Sequence, residues 1–277
     1  MAMTRSAVPV GVAGLPSPPV SLACGSAYTC ARLSDSSVHC WGSNNSRVLA
    51  AVLPGGMTYR ATPGPVPGLS AASIASGLSS MCAVRGDGLV ACWGAGFAGQ
   101  LGDLGVVSFR AMPQPVAGVT GAVGVTGGAL HHCAWSGAGM QCWGTNGNNQ
   151  LGDDRMRDPS AAVPVATLTR VDLASGGYLH TCAIHGGGLS CWGDNHQGAC
   201  GAPPGANLPR PTTVALPAAP TALAAGGGAT PEIDDPSTFT CAIVAGAPLG
   251  WGSNQVGELG DGASFSSTPV AVMLPAP

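Results

Sequence analysis

The chain has 277 residues, of which 45% are hydrophobic and only 8% charged, and its formal net charge at pH 7 is −3. That balance excludes a nucleic-acid surface, because phosphate neutralisation needs clustered Lys and Arg. All ten basic residues are Arg, so a P-loop lysine or a Schiff-base lysine is excluded too.

With 44 Gly and 24 Pro and no long amphipathic pattern, the composition points to many short strands joined by turns. Residues 1–20 hold one Arg but no apolar run of signal-peptide length, since Pro9, Gly11, Gly14 and Pro16 interrupt it. No 18-residue apolar span occurs, so no membrane insertion is expected of this sequence.

In chain order, one unit recurs. It opens on a short apolar run, "VSLACG" at 20–25, "ASIASG" at 72–77, "VDLASG" at 171–176 and "TALAAG" at 221–226. A Cys-Ala run follows, at Cys30, Cys82, Cys133, Cys182 and Cys241. After a polar turn comes a Trp-Gly run, at Trp41, Trp93, Trp143, Trp192 and Trp251, spaced 52, 50, 49 and 59 residues apart. Two apolar runs around a Gly-containing turn read as a hairpin. A last, proline-bearing run such as "PGPVPGL" or "STPVAVML" suits an edge strand. Four strands per unit of about fifty residues is the requirement of one propeller blade. We expect an all-β single domain over 1–277 with blades at about 16–66, 67–116, 117–165, 166–214 and 215–277.

The pattern "LAxG…HTCA…CWGxNxxGQLGD…P" resembles the repeats of the regulator of chromosome condensation superfamily over residues 7–277. The segments at 146–152 and 254–260 carry its Asn-x-x-Gly-Gln-Leu-Gly signature, with Asn149 and Glu258 as departures. The resemblance implies a β-propeller, typically of seven blades. Five units are present here, and a "PV" strand stands at both ends, at 6–15 and 267–277. An extra copy of that strand, where ring closure needs a complementary missing one, makes an open arc or partial ring the expectation. The resemblance also implies tryptophans packed between blades, here Trp41, Trp93, Trp143, Trp192 and Trp251.

Four cysteine pairs sit nine or ten residues apart within the hairpins: Cys30 with Cys40, Cys82 with Cys92, Cys133 with Cys142, and Cys182 with Cys191. That register brings opposite Cβ atoms to within roughly 5 Å, so a disulfide is the better reading and a reduced core thiol the alternative. Cys24, Cys200 and Cys241 are left over, and the fifth unit sets Cys241 against Gly250. Paired cysteines favour an extracellular or surface location; odd ones keep a cytoplasmic or nuclear one open.

Several stretches imitate chemistry. His180, Cys182, His185, Cys191, His196 and Cys200 crowd one segment, yet no Cys-x-x-Cys is present and the histidines do not recur, so no metal is expected. "GAGFAG" at 94–99 matches a dinucleotide fingerprint, but the next unit reads "GTNGNN" in that register, and no cofactor is expected. "DDRMRD" at 153–158 reads as a solvated loop tip. Asn44-Asn45-Ser46 is a formal glycosylation sequon. No Ser, His and Asp set stands out from the repeat background, so no enzyme is expected.

The fifth unit is longer by an acidic, proline-stiffened insertion at 227–238. Its Glu232, Asp234 and Asp235 are candidate contacts for a protein partner. The favoured function is a non-catalytic scaffold that binds a protein through its loop rims. The resemblance also implies a guanine-nucleotide exchange factor for a Ran-like small GTPase as an alternative. A carbohydrate- or small-ligand-binding propeller, using Tyr28, Tyr59 and Tyr178 as exposed aromatics, is the third.

Overall fold

The computed structural model describes residues 8–103, 107–159, 161–228, 236–262 and 265–272. Their regular structure is almost wholly β, and no helix among them is long and apolar enough to cross a membrane. The first blade comprises β1 (Pro19–Cys24), β2 (Tyr28–Leu33), β3 (Ser37–Ser43) and the start of β4 (Tyr59–Ser76). The second takes the rest of β4, then β5 (Ser80–Arg85), β6 (Val90–Ala95) and β7 (Phe109–Pro115). The third is β8 (Gly124–Gly127), β9 (His131–Ser136), β10 (Gly139–Gly144) and β11 (Val163–Pro164). The fourth is β12 (Leu173–Gly176), β13 (His180–His185), β14 (Gly188–Gly193) and β15 (Leu208–Thr213). The fifth is β16 (Pro220–Gly228), β17 (Ser237–Val244), β18 (Ala247–Ser253) and β19 (Phe265–Ala271).

Every pairing is antiparallel. The 18-residue β4 serves two blades: its first part pairs with β3 and its end, from Ala71, with β5. Among the described residues the sheets form an open arc, and β1 and β19 do not pair.

The glycine of each Trp-Gly step has a steric cause. Gly42, Gly94, Gly144, Gly193 and Gly252 all have φ between 101° and 108°, where side chains are strained. A Cβ at Gly144 would also stand 2.3 Å from the carbonyl oxygen of Leu130. The bend lets the Trp strand pass close over the turn that leads into its partner strand.

The core lies between blades rather than inside them. Each of four apolar clusters joins two successive blades, and each includes the cysteine pair of the earlier blade. In the third of these, Cys133, Trp135 and Cys142 from the third blade meet Ala174, Ala183 and Trp192 from the fourth. Alternation along the strand dictates this: Cys133 and Trp135 point forward while Ala134 between them points back.

Candidate functional site

Each of the four hairpin cysteine pairs forms a disulfide, Cys30–Cys40, Cys82–Cys92, Cys133–Cys142 and Cys182–Cys191. All eight residues are fully buried. They lie directly opposite one another in their ladders, and Cys241 stands opposite Gly250 in the same way. Cys24, Cys200 and Cys241 are free thiols. Burial pushes the Cys200 thiol well above its ordinary range, and the nearby Asp194 adds to this, so the group is not a nucleophile at neutral pH.

Trp93, Trp143, Trp192 and Trp251 are buried, whereas Trp41 is only half-buried. The difference follows from position. Each buried indole N–H donates to a loop carbonyl of the preceding blade: Trp93 to Val48, Trp143 to Gln100, Trp192 to Gln150 and Trp251 to Ala199. No described blade precedes that of Trp41.

Three of the four accepting loops, all but that of Gln100, and the matching loop of the fifth blade share a clamp. The side-chain oxygens of Asn44, Asn146, Asn195 and Asn254 each accept from the backbone N–H five residues on. Asn44 also donates to the carbonyl of Ala51, so the sequon's amide is committed to holding its loop. In 153–158, Asp153 and Asp158 accept from Asn146, while Asp154 pairs with Arg210 of the next unit. Residues 154–158 are exposed, as expected of a solvated tip, and these bonds fix the conformation of its loop.

The crowded segment at 180–200 disperses. His180 bonds Thr240, His185 bonds Ser190, His196 pairs with Asp194, and the Cys200 thiol donates to the Asp194 carbonyl. Among the described residues, no three potential ligands converge on one point. Gly94 to Gly99 run from the end of β6 into a turn.

Three buried histidines stitch blades together, a role their sequence positions did not disclose. His131 bonds Thr181 at 2.9 Å, His180 bonds Thr240 at 2.8 Å, and Ser80 bonds His132 at 2.9 Å. Thr181 and Thr240 each donate their own proton to a loop carbonyl, so the imidazole Nε2–H is the donor to them. The Nδ1 atoms of all three rings are buried without a partner. Burial lowers His131 to about 3 and His132 and His180 to about 4.

Tyr28 differs from the expectation of an exposed aromatic. It is buried, and its hydroxyl donates toward the carbonyls of Gly77 and Ser80, because its position in the hairpin faces the second blade. Tyr59 is exposed and Tyr178 half-buried. Tyr178 borders a cavity of about 360 Å³ lined by all five blades. Around it run backbone bonds from Ser26 to Leu78, Leu78 to Ala129, Ala129 to Tyr178, and Tyr178 to Gly226. Glu232, Asp234 and Asp235 lie outside the described residues.

The rim beyond the Trp-Gly strands presents large apolar side chains from two adjacent loops and the strands they enter. Val52 is 98% exposed, Phe97 64% and Met57 51%, with Tyr59, Phe109 and Met112 also exposed. The Arg47 guanidinium lies 5.8 Å above the Phe109 ring and ties the two loops together. The available signal was large apolar residues inside Gly- and Pro-rich connections.

Residues 20–47 match the regulator of chromosome condensation (RCC1) repeat family. No curated protein matches the chain. Solved structures do resemble it. Yeast RCC1 (Prp20), crystallised with Kap60, is 19% identical over 92% of this chain and 75% of its own, with a TM-score of 0.65. Prp20p of Saccharomyces cerevisiae, described with its binding properties to Gsp1p and histones, is 19% identical over 92% and 76%, with a TM-score of 0.64. Human WBSCR16 is 18% identical over 95% and 84%, with a TM-score of 0.68. Four-stranded blades and these likenesses agree on the fold, a β-propeller that forms an open arc among the described residues, and within it residues 20–47 match one repeat of the regulator of chromosome condensation type.

Proposed function

We propose that the chain is a non-catalytic scaffold, one propeller-repeat domain, that binds a protein partner through its loop rim. The apolar rim around Val52, Phe97 and Phe109 carries this reading. Contiguous exposed apolar surface marks interaction sites in otherwise well-buried proteins. Aromatic and Arg side chains, here Phe97, Phe109 and Arg47, are the types enriched at such contacts. Four buried disulfides favour an oxidising environment for the encounter.

Site-specific photocrosslinking tests it. A photoreactive phenylalanine at Val52 or Phe97 is expected to capture a discrete protein in the native host. The same group at Val123, exposed in a different loop, is expected not to. Equal capture from both places, or none from the rim, rejects the rim as the binding surface. The exchange-factor reading draws on the likeness to Prp20p, whose described partners include Gsp1p. Accelerated nucleotide release from a Ran-like GTPase would move it ahead.

A further inference from the structure

We propose that copies of this chain associate head to tail, the first blade of one stacking on the fifth blade of another. Two of the four inner interfaces supply the rule. In the fourth blade Thr181 and Trp192 both donate to the Gln150 carbonyl of the third, at 2.8 and 3.0 Å. In the fifth, Thr240 and Trp251 both donate to the Ala199 carbonyl of the fourth, at 2.9 Å each. The two donors of each pair are direct cross-strand neighbours.

The first blade carries the same pair, Thr29 opposite Trp41. Neither finds an acceptor among the described residues. At the far end, Glu258 stands where Gln150 stands, directly before the buried leucine of its loop, Leu259 against Leu151. The Glu258 carboxylate accepts from the Val256 N–H as the Gln150 amide accepts from the Asn148 N–H. Its backbone carbonyl, the acceptor of the rule, is unpaired among the described residues. One chain therefore holds both halves of the missing interface, two donors at its head and the acceptor at its tail.

The apolar surfaces agree. Leu22 is 63% exposed, although its counterparts Val125 and Ala174, each opposite the same hairpin alanine, are only 5% and 7% exposed against the preceding blade. Ile243 is 40% exposed, whereas Val84 and Ile184, likewise two residues after the hairpin cysteine, are 1% and 6% exposed beneath the following blade. Stacked repeats stay apart when their outermost faces are polar. These two faces are not, and a second copy offers each the complement that the inner blades already use. Such a contact is heterologous, leaving a free head and a free tail at every step.

Sedimentation velocity from about 1 µM to about 100 µM chain tests this across the usual range of specific self-association. The weight-average mass is expected to rise at least twofold above the 27.0 kDa of one chain. Leu22→Arg on the head and Ile243→Arg on the tail should each hold the mass at one chain. Mixed in equal amounts, they should form a dimer and nothing larger, because one intact tail meets one intact head. Thr29→Val, which deletes a single hydroxyl and adds no charge, should weaken association about two- to tenfold. Wild-type chain that stays at 27.0 kDa throughout overturns the proposal. Association of the wild type without rescue in the mixture overturns the head-to-tail geometry in favour of like faces meeting.

Discussion

The Trp93 indole N–H donates to the Val48 carbonyl at 2.7 Å, joining residues 45 positions apart across the first blade boundary. Trp93 is fully buried, and among the described residues no other donor reaches that carbonyl. Trp93→Phe therefore removes part of the interblade packing and strands a buried acceptor as well. We expect a loss of about 2–4 kcal/mol from the two effects together. Trp41→Phe, at the half-buried head, is expected to cost less than about 1 kcal/mol. Urea midpoints of the two variants decide it; equal losses would mean that the indoles stabilise their own hairpins and not the boundaries.

Gly250 lies opposite Cys241 as the paired cysteines lie opposite one another. A Cβ built there would stand 3.5 Å from the Cys241 sulfur, with the Leu259 side chain as its nearest other neighbour. Gly250→Cys is expected to form a fifth disulfide and, by the loop-closure argument, to stabilise the chain by about 2–3 kcal/mol. Thiol labelling under denaturing, non-reducing conditions should find two reactive cysteines in the variant, Cys24 and Cys200, in place of the three free thiols of the wild type. Four labelled cysteines would show that the fifth hairpin does not hold this register.

The repeat, its four strands and the hairpin register of the cysteines are legible in the sequence because they are local. Each is fixed within about a dozen residues by a turn and two apolar runs. Direction is not local: Cys133 turns to the next blade and Ala134 to the previous one, and only the stacking of sheets about fifty residues apart decides which is which. Tyr28 was misread for that reason, since its hydroxyl partners at Gly77 and Ser80 belong to the second blade. Trp41 shares its motif with four buried tryptophans and differs only in what stands before it. The apolar rim follows no period, so residues such as Val52 and Phe97 carried no strand or helix signal.

Gly128 shows how such stacking restricts a turn. A Cβ there would meet the His131 ring at 2.1 Å and the backbone carbonyl of Gly177, in the next blade, at 2.3 Å. The ring could rotate only by abandoning Thr181, and the carbonyl cannot move without shifting the fourth blade. Gly128→Ala is expected to destabilise by about 1–3 kcal/mol or more. Gly147→Ala, where a Cβ would meet nothing within 4 Å, should leave stability within about 0.5 kcal/mol of wild type. Comparable thermal midpoints for the two variants would remove the steric argument.

Acid should loosen these same boundaries. His131, His132 and His180 are each neutral in the fold because burial disfavours the charged ring, although a backbone bond at Thr126 opposes the shift of His132 and Asp194 opposes that of His180. In His131 and His180, whose Nε2–H already donates, a proton added at Nδ1 would be a buried donor without an acceptor among the described residues. Free histidine in the unfolded chain titrates near pH 6.5, so between about pH 6.5 and pH 4 the unfolded state binds more protons than the folded one. Stability is then full above that window and falls as pH drops through it, each site contributing on the order of 1.4 kcal/mol per pH unit. Urea midpoints at pH 7.5, 6 and 5 should fall accordingly. His180→Gln retains a donor for Thr240 but cannot titrate, and should flatten the slope by one proton. An unchanged slope in that variant would place the acid sensitivity elsewhere than in the stitched histidines.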